Sequence, residues 1–420
     1  LRWNQRNRPN RYGMTPAHNA SPPTPHPGLA RRGLIAIFGS TFLELVGVFM
    51  LSPLLLILLK GNGLSTALAG LFAACGWVGI FLMTPLVSGI TRKLGRRLAL
   101  WLAAAMPLLA TTGFLLTDNL GVWFALEFVA GMAGGLRWVL AEAVVAELSP
   151  PELRGRYVGL FETMVGATFV VGPALLAWVG PQRTEALTLV LTLMAGGLLW
   201  SLLIPPLPRA TDADVAPSGA RGIWLALTAH PVVMVAGFLG GFFESGVSSL
   251  LPLYGLALGL GPSGAALLVS ASGLGSALMM LPAGLLADRM AFHPSQRWGT
   301  QAQARQTLMR GCAWLTLAAT AVVPWVASHP ALAWPVVFLW GGAGGCLYTL
   351  AMIDIGSRET GLTLVNGTAV LVMAYTLGGV LAPALGALAL DVSATVGFPA
   401  LILLMAAAGV LAMHQRLQKW

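Results

Sequence analysis

Apolar residues run along this chain in long stretches, and short polar segments separate each stretch from the next. An α-helix needs about 17 to 25 predominantly apolar residues to cross a bilayer, so each stretch has the length of one membrane span. Twelve stretches qualify, which predicts twelve membrane-spanning helices. The predicted spans are 33–59, 67–90, 98–116, 122–146, 157–179, 187–204, 232–257, 264–286, 311–327, 332–353, 362–388 and 392–412.

The composition agrees with a membrane protein and excludes a soluble one. Of the 420 residues, 56% are hydrophobic and 9% are charged, whereas about 25% of the residues in an ordinary soluble domain are charged. The 51 glycines and 27 prolines follow no triplet period, so a collagen-like chain is excluded as well. The sequence therefore predicts an all-α polytopic membrane protein.

The net charge of +9 is a feature that also occurs in nucleic-acid-binding proteins. Here the basic residues follow the positive-inside rule instead, by which Lys and Arg concentrate in cytoplasmic loops. If the first span enters from the cytoplasm, only Lys60 and Arg183 face the other side, and only Arg137 lies within a span. This pattern predicts an inner-membrane protein with both termini cytoplasmic, in contact with the lipid bilayer and not with nucleic acid.

The two halves of the chain resemble each other. An offset of 210 residues places Gly131, Gly134 and Gly135 of span 4 on glycines of span 10. An offset of 200 residues places Glu44 of span 1 on Glu244 of span 7. An even number of spans in each repeat predicts two six-helix bundles that are related by an axis along the membrane normal, with a binding site between them.

Polar segments divide the chain into five regions. We expect a disordered cytoplasmic tail at 1–32, a first bundle at 33–204, a cytoplasmic linker at 205–222, a second bundle at 223–414 and a tail at 415–420. The linker is the longest polar stretch after the N-terminal tail, and it is rich in proline.

Short motifs carry a family resemblance. The loop after span 8 reads G-L-L-A-D-R and ends at Asp288 and Arg289, while the equivalent loop of the first half has Arg92. Span 5 contains Gly172 and Pro173. Together with the spans and the repeat, these motifs resemble the major facilitator superfamily, and the glycine-proline pair is similar to its drug/proton antiporter branch. The resemblance implies alternating access, with gating roles for these five residues.

Ionisable side chains within the predicted spans are the sharpest functional signal, because a charge inside a membrane costs several kcal/mol unless it is paired or hydrated. A residue that bears this cost points to a function such as proton binding. These residues are Glu44, Glu127, Arg137, Glu142, Glu162 and Glu244.

Three of these charges are predicted to lie near the bilayer midplane, namely Glu44, Arg137 and Glu244. The resembled fold lines its central cavity with spans 1, 4, 7 and 10, which implies that the three side chains share one space. One cation cannot neutralise two carboxylates, so Glu44 and Glu244 are the candidates for proton coupling. The alternative is that Glu44 and Arg137 form a buried structural pair.

The remaining candidates are of two kinds. Glu127, Glu142 and Glu162 lie nearer to the ends of their spans, and we expect structural or gating roles for them, with proton coupling as a second possibility. Trp138 and Tyr348 occupy equivalent positions of the repeat. They form either a stacking wall for an organic substrate or part of the packed core.

Other chemistries find little support in the sequence. The three cysteines and six histidines show no metal-binding spacing and no Walker A sequence occurs, so we expect no metal, no cofactor and no enzymatic activity. The features favour a monomeric secondary transporter that exports a small organic or drug-like molecule in exchange for protons. The alternatives are a proton-coupled uptake symporter of a small metabolite and, less favoured, a non-transporting membrane sensor.

Overall fold

The computed structural model of the protein consists of helices joined by short loops in the part of the chain that it describes, with no strand in that part. Much of the predicted N-terminal tail and linker lies outside the described residues, as does nearly all of the C-terminal tail. The described residues are 27–63, 66–180, 182–207, 217–292 and 300–415.

Twelve helices in the described chain are long and apolar enough to cross a membrane, which confirms the predicted number. Because the number is even, the start of span 1 and the end of span 12 lie on the same membrane face, which we call the terminal face. The spans, numbered in chain order, are Gly28–Leu59, Leu71–Leu94, Arg96–Leu116, Leu120–Leu148, Pro151–Val179, Arg183–Ser201, Pro231–Ala257, Leu267–Phe292, Gln301–Val326, Pro330–Arg358, Gly361–Val392 and Gly397–His414.

The helices differ from the predicted spans mainly at their polar ends. Span 9 begins at Gln301, ten residues before the predicted start at position 311, because the Thr300 side chain caps the helix and Gln303 completes a capping box. A short helix, Ala220–Ala229, begins in the last three residues of the predicted linker and continues toward span 7. Hydropathy detects the part of a helix that faces the hydrocarbon core, and it does not detect helical turns that continue into water.

The internal repeat reappears in how the helices cross. A Cβ atom added at Gly131 of span 4 would lie 2.1 Å from the Gly76 carbonyl oxygen of span 2, and one added at Gly341 of span 10 would lie 2.0 Å from the Ser272 oxygen of span 8. Only glycine permits backbones to approach this closely. The glycine runs that defined the repeat are therefore the crossing points of equivalent helix pairs in the two bundles.

The two bundles meet along spans 5 and 8. Gly155 and Gly284 face each other so closely that a Cβ atom on Gly284 would lie 2.0 Å from the Gly155 carbonyl oxygen. Farther from the terminal face, the Thr163 hydroxyl donates to the Ala277 carbonyl at 3.3 Å. Ala146 of span 4 also contacts Gly356 of span 10. The terminal face is therefore closed in this structure.

Candidate functional site

Arg137 of span 4 forms a buried ion pair with Glu44 of span 1. The distance from Arg137 Nε to Glu44 Oε2 is 2.8 Å, and each side chain is 4% exposed. Arg137 also donates to the hydroxyls of Ser40, at 2.8 Å, and Thr41, at 3.2 Å. Both hydroxyls lie one turn before Glu44 on span 1, so a single helix face holds the guanidinium.

Glu142 receives hydrogen bonds from both bundles. Trp138 lies one turn earlier on span 4, and its indole N–H donates to Glu142 Oε1. The Tyr348 hydroxyl of span 10 lies 2.8 Å from Oε1 and 2.7 Å from Oε2 of the same carboxyl group. Glu142 and Tyr348 are each only 2% exposed. This contact joins the first bundle to the second inside the protein.

Glu244 lies on an irregular segment of span 7, where the helix widens into a π-helical turn over Gly241–Gly246. π-helical turns inside α-helices are frequent at functional sites. The Glu244 carboxyl group accepts a short hydrogen bond from Ser276 of span 8 and one of 3.2 Å from the Tyr375 hydroxyl of span 11. Glu244 therefore has neutral hydrogen-bond donors around it.

Glu162 of span 5 completes a group of three acidic side chains. It is 5% exposed and interacts electrostatically with Glu142 and Glu244. We call Glu142, Glu162 and Glu244 the inner carboxyl cluster. Within the described chain, no Lys, Arg or His forms an ion pair with these three residues.

Aromatic rings surround the inner carboxyl cluster. The ring centroid of Trp138 lies 6.1 Å from that of Tyr348 and 5.7 Å from that of Tyr375, and the two tyrosine rings are 5.0 Å apart. Trp138, Tyr375 and Glu244 keep part of their surface accessible. Among the described residues, no three His, Cys, Asp or Glu side chains are arranged to hold a metal ion. Aromatic rings and neutral hydrogen-bond donors therefore surround the three acidic side chains.

Asp288 links the bundles at the terminal face. Its carboxylate accepts the backbone N–H groups of Gly155 at 2.7 Å and Arg156 at 2.8 Å, at the first turn of span 5. A carboxylate at a helix N-terminus satisfies unpaired N–H groups and interacts favourably with the helix dipole. The neighbouring Arg289 is exposed. Asp288 of the second bundle thus caps a helix of the first bundle.

Arg92, in the equivalent loop of the first bundle, makes a different contact. It is exposed, and its guanidinium lies 3.5 Å from the Ser218 hydroxyl in the last part of the linker. Close by, Ser88 of span 2 accepts the Gly219 N–H at 2.9 Å, and Asn366 of span 11 donates to the Pro217 carbonyl at 2.9 Å. The end of the linker thus connects span 2 to span 11. The equivalent contact in the repeat, between spans 8 and 5, is the helix cap that Asp288 provides.

Other predicted residues lie apart from the cluster. A Cβ atom on Gly172 would lie 2.8 Å from the Met50 backbone nitrogen, so span 5 packs here against span 1, while Pro173 is exposed within the helix. Glu127 is half-buried beside Gly76 of span 2, toward the opposite membrane face. The sequence could not show that these residues lie apart from the cluster, because the position of a residue along its span predicts its depth in the membrane and not which helix it contacts.

The residues of the predicted site belong to two separate groups in the structure. Arg137 pairs with Glu44, whereas Glu244 belongs to the inner carboxyl cluster, so the three side chains do not form the single group that we expected. Sequence reasoning missed Tyr375 and Ser276. Only five tyrosines occur in the chain, so the rarity of a tyrosine in the middle of span 11 is the sequence signal that could have identified Tyr375.

Comparison with known proteins identifies this architecture. A family model described as Major Facilitator Superfamily matches residues 37–361. The chain belongs to the Major Facilitator Superfamily. It is therefore a secondary transporter and a multi-pass membrane protein.

Similar proteins were found both by sequence and by structure. An uncharacterized MFS-type transporter of Bacillus subtilis (strain 168), YfkF, is 23% identical over 344 residues, which cover 80% of this chain and 83% of that protein. Among solved structures, the superfamily transporter FucP in its outward conformation has a TM-score of 0.74 at 16% identity, with 91% and 98% of the chains covered. The human organic anion transporter MFSD10 has a TM-score of 0.68 at 19% identity, covering 92% and 99%. At such identities the structural likeness shows the fold alone.

Proposed function

We propose that this transporter couples the export of a small organic or drug-like molecule to the entry of protons across the inner membrane. The observation that carries the proposal is the inner carboxyl cluster, in which acidic side chains from both bundles meet without a basic partner in the described chain. Adjacent carboxyl groups in a low-dielectric interior share a proton more readily than they carry two charges. The cluster is therefore a proton-binding site.

Coupling requires that the proton is bound differently in the two states of the transporter. Glu142 and Glu162 belong to the first bundle, whereas Tyr348 and Glu244 belong to the second. When the bundles separate at the terminal face, water reaches Glu142, and the hydration of its charged form outweighs the loss of the hydrogen bond from Tyr348. The closed state thus favours a protonated cluster, and the state open at the terminal face favours release of the proton.

The roles of the charged residues follow from this arrangement. Glu244 keeps the proton-coupling role predicted from the sequence, and Glu142 and Glu162 join it. We assign a structural role to Glu44 and Arg137, because the ion pair already neutralises both charges. Asp288 and the end of the linker act as gating contacts on the terminal face.

The basic loops support a cytoplasmic terminal face. A C-terminal fusion to green fluorescent protein should therefore fluoresce, and a fusion to alkaline phosphatase should be inactive. The opposite pattern would reverse the orientation. We further propose that the protein transports as a monomer, since each chain contains a complete two-bundle site.

Uptake by proton symport is the second candidate. The fold is similar to that of a structure described as the fucose:proton symporter FucP, and a proton-binding cluster serves either direction. The resemblance of Gly172-Pro173 to the antiporter branch favours export.

The experiment that tests the function is proton movement in everted membrane vesicles. Respiration acidifies the vesicle interior and quenches a pH-sensitive dye, so an exported substrate that exchanges for protons restores the fluorescence. We expect Glu142→Gln and Glu244→Gln to lose this signal while preserving substrate exchange without a gradient. Glu127→Gln, the same change outside the cluster, is the control. Further acidification on substrate addition would indicate symport, and wild-type signals in both cluster variants would exclude Glu142 and Glu244 as coupling residues.

A further inference from the structure

An apolar groove opens on the outer surface of the second bundle, separate from the inner carboxyl cluster. It encloses about 750 Å³ between spans 7, 11 and 12 and the short helix Ala220–Ala229, a volume within the range of about 300 to 1,000 Å³ that is usual for ligand pockets. We call it the lateral groove. Phe81 of span 2 also lines it, so both bundles contribute to its walls.

The lining of the lateral groove is almost wholly apolar. Thr228 is the only polar side chain among the described residues that line it. Leu227 and Leu377 line the groove and are also exposed, so it is accessible from the lipid bilayer. A polar solute would find almost no hydrogen-bond partner there, whereas a hydrocarbon chain needs none. The lining therefore fits a hydrocarbon chain.

The depth of the lateral groove matches one leaflet of the membrane. Its shallow end lies at Thr228, just before span 7 begins at the terminal face. Span 11 also begins at this face, at Gly361, and its groove residue Leu377 lies about 24 Å farther along the helix at about 1.5 Å for each residue. One leaflet with its headgroups is about 20 to 22 Å thick. The groove thus extends from the headgroups to the bilayer centre.

Basic side chains lie near the shallow end of the lateral groove. Arg221 precedes the lining residue Ile223 by two positions. The Arg92 guanidinium of the first bundle lies 3.5 Å from the Ser218 hydroxyl, three positions before Arg221, and Lys93 follows Arg92. All three basic side chains are exposed, and none of them forms an ion pair with another described residue. Such a group of positive charges at a membrane surface attracts an anionic headgroup.

The helix Ala220–Ala229 has the character of a helix that lies in the membrane interface. Gly222 and Ala226, one turn apart, are buried against the protein, whereas Trp224 and Leu225 are exposed. Exposed tryptophan is typical of the level at which headgroups meet acyl chains. Trp224 lies one turn before Thr228, so its ring is beside the groove.

We propose that the lateral groove binds one anionic phospholipid of the leaflet at the terminal face. One acyl chain lies in the groove, and the phosphate lies between Arg92 and Arg221. Because Phe81 and Arg92 belong to the first bundle and the other walls to the second, the lipid contacts both bundles. The inference goes beyond the proposed function and does not depend on it.

Quenching of Trp224 fluorescence tests the proposal. Full-length protein is reconstituted in vesicles of equal parts phosphatidylglycerol and phosphatidylcholine, with bromine on the acyl chains of one lipid or of the other. Subtracting the signal of the same protein with Trp224→Phe isolates Trp224 from the other tryptophans. We expect brominated phosphatidylglycerol to quench Trp224 about threefold more than brominated phosphatidylcholine, because the basic residues select the anionic headgroup. Equal quenching by the two lipids would overturn the proposal.

Charge variants test the position of the headgroup. Arg92→Gln combined with Arg221→Gln should lower the quenching ratio to about one, because both lipids then bind alike. Arg156→Gln combined with Arg289→Gln removes the same number of exposed charges elsewhere on the terminal face, and this control should keep the wild-type ratio. An unchanged ratio in the first pair would show that these arginines do not hold the headgroup.

A filled groove tests the position of the acyl chain. Ala408→Phe places a ring in the lateral groove, and we expect quenching by brominated phosphatidylglycerol to fall about twofold, because the ring and the chain cannot share one volume. Leu404→Phe, at an exposed position of span 12 outside the groove lining, is the control. Unchanged quenching in Ala408→Phe would place the chain elsewhere. Absence of quenching by either lipid in wild type would mean that another occupant, such as a second copy of the chain, covers the groove.

Discussion

The Tyr348 hydroxyl lies within 2.8 Å of both carboxylate oxygens of Glu142, although the two residues are 206 positions apart and belong to different bundles. Both side chains are buried, so water is excluded from the contact. A hydrogen bond to a charged or proton-sharing carboxyl group is worth about 1.5 to 3 kcal/mol. This contact therefore ties the state of the inner carboxyl cluster to closure of the bundles.

Tyr348→Phe removes this hydroxyl and keeps the ring. We expect the balance between closed and open terminal faces to shift about 10- to 100-fold toward opening, because about 1.4 kcal/mol changes an equilibrium tenfold. Spin labels at the exposed positions Leu116 and Val392, near the opposite face of the two bundles, measure the shift as a shorter distance. Tyr254→Phe, at a buried tyrosine packed on Phe398, is the control. An unchanged distance distribution would show that the hydroxyl does not contribute to closure.

Arg137→Ala should destabilise the protein strongly, because it leaves Glu44 buried without a partner. The expected loss is about 3 to 5 kcal/mol, seen as a lower midpoint of thermal unfolding in detergent. Combining Arg137→Met with Glu44→Gln should recover most of the loss, since neither side chain is then charged. The exposed Arg156→Ala is the control. If Arg137→Ala unfolds at the temperature of this control, the buried pair has no structural role.

Asp288→Asn should weaken closure at the terminal face. The amide keeps one oxygen acceptor but loses the charge that favours the first turn of span 5. We expect more of the open population in the spin-label distances. Asp118→Asn, which affects an ion pair with Arg183 within the first bundle, should leave the distances unchanged. A null result for Asp288→Asn would remove this residue from the gate.

Gly284→Ala should prevent the present approach of spans 5 and 8. The added methyl group would lie 2.0 Å from the Gly155 carbonyl oxygen, so the bundles must separate there. Gly166→Ala is a matched control on the same helix pair, where the nearest atom, Ala277 Cβ, is 3.7 Å away. We expect loss of transport and an open terminal face for the first variant only. Normal transport by Gly284→Ala would mean that this closed state is not part of the cycle.

Glu359, outside the spans, forms an ion pair with His230 at 2.9 Å. The hydrogen bond from His230 lowers the pKa of Glu359 below its ordinary value of 4.5. A lowered pKa in the folded state means that the stabilisation is present above the unfolded value and is lost as the pH falls through the folded value. The difference in unfolding temperature between wild type and Glu359→Gln should therefore be present at about pH 5.5 and disappear as the pH falls below about 4.5. The exposed Glu185→Gln should show no such convergence, and a constant difference for Glu359→Gln would argue against the pair.

Hydropathy and charge alone determine much of this protein. The length of each apolar stretch predicts one crossing, and the glycine runs around Gly131 and Gly341 predict equivalent helix crossings in two bundles, because both features are encoded locally along the chain. The motif that ends at Asp288 indicates a gating role through its resemblance to the family, whereas the helix end that Asp288 contacts is known only from the structure. The helix ends at Gln301 and Ala220 escaped the prediction, because capping and amphipathic packing leave little trace in hydropathy.

Only the tertiary structure decides which buried charges meet. Glu44, Arg137 and Glu244 share a predicted depth, yet the rotation of each helix directs Arg137 to Glu44, and the π-helical turn at Glu244 accompanies its contacts with Ser276 and Tyr375. Depth follows from counting residues along one helix, whereas the facing direction depends on how two bundles pack across hundreds of residues of sequence. The approach of Glu162 to Glu142 and Glu244 is visible only once that packing is known.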